Sequence, residues 1–453
     1  MTPNDVNTYG SPSDLRITDM RFVDVVGAPM RCTLMKLSTN QGIEGYGEIR
    51  DGASRTYALM LKDRILGENP CDVDRIFRRI KQFGNHGRQA GGVCGIELAL
   101  WDLAGKAYGV PVYRMLGGKF RETIRMYCDT HVHGKDTGAD MGRALRERMG
   151  LGYTFLKMDL GITHLIDKPG TLSAPPGLLD AMRVRRKARA AQPGDVSEEA
   201  LDARIARNRY YDIQNVSHPF TGIHVTEKGL DVLAEYVERV RDEIGYEIPL
   251  AIDHFGHIPL EDCKKIARRL ERFNPAWLED MIPWQLTDQY ERLSRATTAP
   301  ICTGEDIYLK ESFRPLLERG AVSMIHPDIL SCGGILELKK IGDMAQECGV
   351  AMSVHMAESP IACIAAVHAC AATENFTALE FHSVETEWWN DIVTGLPNPI
   401  VQNGFIALPE GPGLGIESLN DEVLAAHCDP RYPELWASTD QWNAEYPHDR
   451  TWS

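Results

Sequence analysis

The sequence predicts a parallel β/α barrel that follows a smaller α+β module. From about residue 124 onward, short apolar runs alternate with amphipathic helical stretches, and eight such runs occur. Before that point, strand-like alternation gives way to a helical pattern, which is typical of an α+β module. The length of 453 residues matches a barrel of about 250 residues plus a second module.

The N-terminal module begins with alternating residues over 17–48, which predict strands. The segment Thr39-Asn40-Gln41-Gly42 predicts the turn of a hairpin. Over 57–117 the pattern becomes helical, and "VCGIELALWDLAGKAYG" carries apolar residues at three- and four-residue spacing. This helix is predicted to end at Gly109, ahead of Pro111.

Eight apolar runs are candidates for the barrel strands. Most are separated by a plausible helix, such as "LEDCKKIARRLERF" at 260–273, and eight strand–helix units predict a closed parallel barrel. In chain order the runs are "IRMYCDTH", "FLKMDL", "PLAIDHF", "AWLEDMI", "PICTGEDI", "SMIHPDI", "AMSVHMA" and "ALEFHS".

A long insertion separates the second and third strand runs. Its basic stretch "MRVRRKARAAQ" is interpreted as a solvated helix face, and the insertion over 161–225 as a lid or an oligomer contact. After residue 383, "NPIVQNGFIALPEGPGLGIESL" is expected to return to the N-terminal module. The tail beyond it, with Trp436, Trp442 and Trp452, is expected to pack on the same chain or on a neighbour.

Composition and charge limit the function classes. With 49 basic and 64 acidic residues, the net charge of −15 argues against binding to nucleic acids or anionic membranes. An anionic substrate would therefore need a metal or a buried lysine. The eleven cysteines form no CxxC pair, the N-terminus is polar, and no apolar run approaches 18 residues. A reduced, soluble, cytoplasmic protein is expected.

Three acids recur at a barrel-like interval. Asp253, Glu279 and Glu305 are each 26 residues apart, near the ends of apolar runs, so three successive strands are predicted to bring carboxylates to one mouth. Because clustered carboxylates repel, a hard divalent cation is expected, and oxygen ligands favour Mg²⁺ over zinc. Alternatively, each acid is only a helix cap, which explains one acid better than three at matched spacing.

The interval continues with Asp328, His355 and Glu380. A histidine after one strand and an aspartate after the preceding one suit an acid/base group whose tautomer a carboxylate fixes. Glu380 is a catalytic candidate or a brace of the barrel rim. On the second strand, Lys157 and Asp159 are further catalytic candidates, and they point to the same face because they are two residues apart. If that face is inward, Lys157 is expected across the metal from His355; the alternative is a surface lysine.

These residues carry a resemblance to the mandelate racemase and muconate lactonizing enzyme branch of the enolase superfamily, over nearly the whole chain. "GIELALWDLAGKAYGVPVYRMLGG" resembles the capping-domain signature of that branch, and "PEGPGLGIE" its C-terminal return. The runs "AIDHF", "WLED" and "TGED" are similar to its metal-ligand strands, and "HPD" with "VHM" to its Asp–His dyad.

The resemblance implies a TIM-type (β/α)7β barrel with an N-terminal α+β capping domain that the C-terminal segment completes. The implied domains are 1–123, 124–385 and 386–453. It also implies a homo-oligomer, as a dimer or an octamer. Loops near 27–30 and 50–55 are expected to select the substrate.

By the same resemblance, Mg²⁺ is bound by Asp253, Glu279 and Glu305, and Asp328 with His355 forms the acid/base dyad. Glu380 is expected to hydrogen-bond the substrate carboxylate. The further candidates for substrate contact are His254, His257 and Glu358. Because His254 follows a ligand by one residue, it is expected to point away from the barrel centre.

One departure from the branch pattern bears on the reaction. The second strand reads Lys157-Met158-Asp159 where mandelate racemases carry K-x-K, so a two-base racemisation loses support. The implied function is a Mg²⁺-dependent lyase that removes the proton α to the carboxylate of an aldonate and eliminates the 3-hydroxyl, giving a 2-keto-3-deoxy acid. The base is left open between His355, a strand-two residue and a loop residue.

Two other function classes stay possible from the sequence. An epimerase, racemase or cycloisomerase of a carboxylate would use the same enediolate. A non-catalytic metal-binding barrel would keep the acids without the chemistry. A hydrolase is disfavoured because neither G-x-S-x-G nor H-E-x-x-H occurs.

Overall fold

The computed structural model describes residues 11–445 apart from residues 86, 176, 178, 180–196, 203, 206–221 and 257. The strands are β1 Ile17–Val26, β2 Arg31–Thr39, β3 Glu44–Ile49, β4 Thr123–Cys128, β5 Leu156–Asp159, β6 Leu172–Ser173, β7 His224–Val225, β8 Leu250–Asp253, β9 Leu278–Glu279, β10 Ile301–Thr303, β11 Met324–Ile325, β12 Ala351–Val354, β13 Phe376–Phe381 and β14 Phe405–Ala407. The helices are α1 Thr56–Leu59, α2 Lys62–Ile65, α3 Val73–Ile80, α4 Gly87–Tyr108, α5 Val112–Met115, α6 Gly138–Gly150, α7 Glu227–Ile244, α8 Leu260–Leu270, α9 Thr287–Ser294, α10 Lys310–Glu318, α11 Ile329–Cys332, α12 Ile335–Glu347, α13 Pro360–Ala371 and α14 Asp421–Ala426.

Eight of these strands form a closed barrel. Their order is β4, β5, β8, β9, β10, β11, β12 and β13, and β13 pairs again with β4. Each of the eight apolar runs of the sequence overlaps one of these strands, and every connection between them carries at least one helix. The predicted (β/α)7β barrel with an N-terminal α+β domain is therefore confirmed. Strand β14 pairs antiparallel with β4.

The chain divides into two compact units. The first unit comprises Met1–Tyr127, Gly304–Arg314 and Ile325–Ser453, and the second comprises Cys128–Thr303 and Pro315–Met324. The boundaries implied by the sequence resemblance, 1–123, 124–385 and 386–453, stay predictions.

In the first unit, β1, β2 and β3 form an antiparallel sheet. The turn between β2 and β3 follows Thr39 as predicted, and Gly42 occupies it with a φ of +76°. Strand β3 packs directly on α4, because a Cβ at Gly47 would lie 2.0 Å from the carbonyl oxygen of Gly95. As expected from the sequence, α4 ends just before Gly109.

The C-terminal segment contacts the antiparallel sheet within the first unit. Cys428 forms a β-bridge with Val25, and the ammonium of Lys62 donates to the Thr439 hydroxyl over 2.7 Å. The Trp436 carbonyl accepts from Arg21 over 3.1 Å. The tail therefore packs on its own chain as far as Trp442, and Trp452 lies outside the described residues.

In the second unit, the long insertion is described only in part. Leu172–Ser173 and His224–Val225 pair as a two-stranded antiparallel ribbon. Helix α7 follows, with Thr226 as its N-cap. The basic stretch of the insertion lies outside the described residues. Among the described residues, no helix combines the length and the apolar character that crossing a membrane requires.

Candidate active site

Asp328 and His355 lie just beyond the carboxyl ends of the adjacent strands β11 and β12. Asp328 caps helix α11, and its Oδ1 accepts from the backbone N–H of Leu330 over 2.6 Å. A parallel β-bridge joins Asp328 to His355, and the His355 N–H donates to the carbonyl of Pro327 over 3.1 Å. The backbone therefore sets the two side chains beside each other.

The two side chains form a buried Asp–His pair, the proposed acid–base pair. His355 Nδ1 lies 2.7 Å from Asp328 Oδ2, and Asp328 has no exposed surface. On the other side of the ring, Nε2 lies 3.2 Å from an oxygen of Glu305. Burial, followed by the charge of Arg50, lowers the pKa of His355 well below its usual range. Burial raises the pKa of Asp328 to about 7 against the opposing charge of Arg50.

Glu380 lies among three histidines in the same unit. Its carboxylate is 3.4 Å from His326 Nε2, 3.2 Å from His382 Nε2 and 3.8 Å from His355 Nε2. Glu380 and His326 are both fully buried, and the Tyr127 hydroxyl is hydrogen-bonded to His326. The predicted strand-end glutamate therefore lies beside the histidine of the acid–base pair.

Asp253 and Glu279, in the second unit, share one lysine. They are the last residues of the neighbouring parallel strands β8 and β9. Lys157 Nζ lies 2.8 Å from Asp253 and 3.2 Å from Glu279, and its side chain is 2% exposed. Lys157 is therefore not a surface lysine, and its place across the metal from His355 stays a prediction. Burial acts to raise the pKa of Asp253, but Lys157 and His254 outweigh it and hold that pKa at about 2.

Asp159 and His254 adjoin the same acids. Asp159 pairs in register with Asp253, and burial together with the charge of Asp129 raises the pKa of Asp159 to about 8. His254 Nε2 lies 3.7 Å from Asp159 and 3.9 Å from Asp253. The expectation that His254 points away is wrong. Strand β8 ends at Asp253, and His254 has a φ of +60°, so the alternation of a strand no longer applies to it.

Glu358 and His257 are the remaining candidates for substrate contact. Glu358 is buried, and its carboxylate lies 2.7 Å from Arg50, so its predicted contact with substrate stays a prediction. His257 lies outside the described residues. Lys157, Asp159 and Asp253 lie together with Glu279 in one unit; Asp328 and His355 lie together with Glu380 and Glu305 in the other.

Sequence reasoning missed four residues of these clusters: Tyr127, His326, His382 and Arg50. His326 precedes Asp328 by two residues and His382 follows Glu380 by two, so both histidines lie next to residues that the strand-end interval already indicates. Nothing local in the sequence indicates the partners of Tyr127 or Arg50.

The donor chemistry of the strand-end acids suits a hard cation. Asp253, Glu279 and Asp159 offer only oxygen ligands, which Mg²⁺ prefers in proteins. Asp159, Asp253 and His254 each offer a ligand atom within 4.8 Å of the others. The ammonium of Lys157 between Asp253 and Glu279 shows that a positive charge is accommodated there.

Models of two protein families match this sequence. Residues 140–422 match the enolase C-terminal domain-like family. Residues 24–117 match the N-terminal domain of the mandelate racemase / muconate lactonizing enzyme family.

Curated relatives and solved structures align over most of the chain. A D-xylonate dehydratase of Haloferax volcanii is 32% identical over 93% of this chain and 91% of its own length. A D-galactonate dehydratase of Ralstonia pickettii is 26% identical over 92% of this chain and 97% of its own. The crystal structure of a mandelate racemase/muconate lactonizing enzyme-like protein from Rubrobacter xylanophilus covers 94% of this chain and 100% of its own, with 26% identity and a TM-score of 0.75.

Proposed function

Since this chain belongs to the mandelate racemase/muconate lactonizing enzyme family of the enolase superfamily and is an acid-sugar dehydratase, we propose that it converts an aldonate into a 2-keto-3-deoxy acid with Mg²⁺ as cofactor. The observation that carries the proposal is the buried Asp328–His355 pair, with His355 Nε2 directed at Glu305. The relatives named for D-xylonate and D-galactonate support an aldonate of five or six carbons as the substrate.

Asp253, Glu279 and Glu305 are the proposed Mg²⁺ ligands. Strands β8, β9 and β10 are consecutive in the parallel sheet. Asp253 and Glu279 end the first two strands, and Glu305 follows the last residue of β10, Thr303, by two positions. When bound, the metal ion would supply positive charge that offsets the negative charge developing on the substrate carboxylate.

His355 is the proposed group that moves the proton. Because Asp328 holds Nδ1, the nitrogen that faces the substrate is Nε2. The lowered pKa of His355 keeps the ring neutral at neutral pH, which is the form that a base requires. Nε2 takes the C2 proton and then returns a proton to the 3-hydroxyl. The C2–H and C3–O bonds break, water leaves, and the resulting enol becomes the 2-keto acid.

Asp159 with His254 is the second candidate for the base. Their side chains lie 3.7 Å apart, and Asp159 stands where the branch pattern has its second lysine. In this version His355 acts only as the acid that protonates the leaving hydroxyl. Glu380 is proposed to hydrogen-bond the substrate carboxylate in either version. His254→Asn and His355→Asn, compared for exchange of the C2 proton with D₂O, distinguish the two versions.

A substrate screen in the presence and absence of Mg²⁺ tests the proposed function. The protein is incubated with D-xylonate, D-galactonate and other aldonates, with Mg²⁺ or with EDTA, and 2-keto acids are measured. We expect product only with Mg²⁺. Exchange of the α-proton with D₂O without product would instead favour the epimerase or cycloisomerase alternative. A protein that Mg²⁺ stabilises but that neither exchanges protons nor forms product would support the non-catalytic metal-binding barrel.

We also propose that the protein works in the cytoplasm as a homo-oligomer, a dimer or an octamer. The support is the resemblance to its enzyme family. Light scattering coupled to size-exclusion chromatography would measure the mass of the protein in solution. A monomeric mass would contradict the proposed homo-oligomer.

A further inference from the structure

Arg50 is a buried arginine that follows the last residue of β3, and its side chain is 1% exposed. Its Nη1 donates to Asp328 Oδ2 and to Glu358 Oε1, over 2.7 Å in each case. The same nitrogen lies 3.1 Å from His355 Nδ1. One guanidinium nitrogen therefore contacts both members of the acid–base pair and a third ionisable group.

The backbone beside Arg50 is held in place on both sides. Helix α4 approaches so closely that a Cβ at Gly91 would lie 2.8 Å from the Cβ and backbone nitrogen of Arg50. Two residues earlier, the Glu48 carboxylate accepts from the Ser359 N–H over 3.1 Å and from the Ala362 N–H over 3.2 Å. The end of β3 is thus attached to the start of α13, which follows Glu358.

The orientation of the Asp328 carboxylate depends on these contacts. Oδ1 is occupied by the backbone of α11, while Oδ2 meets both Arg50 and His355. Without the guanidinium, the carboxylates of Asp328 and Glu358 would be buried together with no positive charge between them, and they would repel. The Asp328 side chain would then be free to turn away from His355 Nδ1.

We propose that Arg50 is a positioning residue that holds Asp328, and through it His355, in the orientation needed for proton transfer. This inference rests on the proposed function. It assigns the antiparallel sheet of the N-terminal module a part in the reaction, through Arg50, which directly follows the end of β3. A purely structural ion pair would need the charge of Arg50 but not the fixed position of Nη1 that a planar guanidinium provides.

The test separates charge from geometry. Arg50→Lys keeps a positive charge but lacks the planar guanidinium, whose Nη1 donates to Asp328 and Glu358 while Nη2 lies 3.7 Å from Glu305. Arg50→Met combined with Glu358→Gln removes one positive and one negative charge, which protects the fold if Arg50→Met alone does not fold. The matched control is Arg241→Lys, because Arg241 is also buried but donates only to backbone carbonyls, such as those of Phe273 and Asn274.

Two readouts are measured on each folded variant. The first is kcat and KM with D-xylonate or whichever aldonate the wild-type protein converts. We expect kcat of Arg50→Lys to fall about 100-fold with KM little changed, as misplacement of a reacting group predicts. The second is the ¹⁵N spectrum of the His355 ring, assigned with His355→Asn, which we expect to change in both Arg50 variants and not in Arg241→Lys.

The results distinguish a positioning role of Arg50 from a purely structural role. Retention of kcat in Arg50→Lys, at the level of Arg241→Lys, would overturn the positioning role. A loss of kcat with an unchanged His355 spectrum would also overturn it, because the effect would then not pass through the ring. If the wild-type protein converts no aldonate, the proposed function fails, while the spectrum of His355 still tests the positioning.

Discussion

Two clusters of buried acids among the described residues are paired with different cations. In the second unit, Asp253 and Glu279 share Lys157, which comes from the neighbouring strand β5 of the same sheet. In the first unit, Asp328 and Glu358 share Arg50, which comes from the end of a separate antiparallel sheet. Both cations are buried, and each has a nitrogen within 3.2 Å of two carboxylates.

The choice of lysine in one cluster and arginine in the other agrees with the different roles that we propose for the two clusters. Lysine is a compact point charge on a flexible stem, so it can give way when a metal ion takes over the same oxygens. The guanidinium of arginine is planar and makes hydrogen bonds in fixed directions. Under the proposed function, the acids that would bind Mg²⁺ are paired with lysine, and the acid that would orient His355 is paired with arginine.

The largest expected effect is that of His355→Asn, which removes the proposed proton carrier from the first unit. Because general acid–base catalysis contributes up to about 10⁴-fold, we expect kcat to fall by about 10³-fold or more. Steady-state kinetics with an aldonate would measure it. The control is His224→Asn, since His224 is largely exposed and paired with Asp262. Near-wild-type turnover in His355→Asn would exclude the ring from proton transfer.

The next largest effect is expected for a substitution of Asp253, in the second unit. Asp253→Asn removes the charge of one proposed ligand. Loss of a direct ligand should weaken Mg²⁺ binding by about 100-fold or more, because loss of an indirect partner already costs about 10- to 100-fold. The rise in melting temperature during Mg²⁺ titration measures this affinity. Asp231→Asn, at an exposed residue paired with Arg269, is the control. An unchanged titration in Asp253→Asn would remove Asp253 from the metal site.

Lys157→Met tests whether the lysine stands in for a metal ion. Without Mg²⁺, two buried carboxylates lose their cation, and the free energy of unfolding should fall by about 3 kcal/mol or more. With saturating Mg²⁺, the loss should be smaller, because the ion neutralises the same oxygens. Denaturant titrations with and without Mg²⁺ compare the two conditions. Equal destabilisation in both would mean that lysine and metal do not serve the same carboxylates.

The eight barrel strands were predictable because each is a short apolar run followed by polar residues. The acids at their ends were predictable for the same reason, since the interval of about 26 residues repeats with each strand and helix. Local rules sufficed wherever the partner lies on the neighbouring strand, as Lys157 does for Asp253. The end of α4 was likewise indicated by Gly109, whose φ of +71° lies in the left-handed region.

The other contacts of the site join residues that are far apart in the sequence, and no local sequence pattern indicates them. Arg50 and Asp328 are 278 residues apart, and only the folded first unit brings them together. A buried, paired arginine has the same sequence appearance as an exposed one. The error at His254 is different, because the rule of alternation was applied one residue beyond the end of β8. Its ring therefore lies beside Asp159.

The smallest expected effect is at Thr226, the N-cap of α7 in the second unit. Its hydroxyl accepts from the Gly229 N–H over 3.1 Å and donates to the Gly170 carbonyl over 2.7 Å. Thr226→Ala should lower the free energy of unfolding by about 1 kcal/mol, and Thr226→Ser, which keeps both bonds, should lower it less. Helix α7 leads into β8, which ends at Asp253. We therefore expect unchanged kcat and Mg²⁺ affinity. A loss of Mg²⁺ affinity in Thr226→Ala alone would mean that the position of Asp253 depends on this helix as strictly as that of Asp328 is proposed to depend on Arg50.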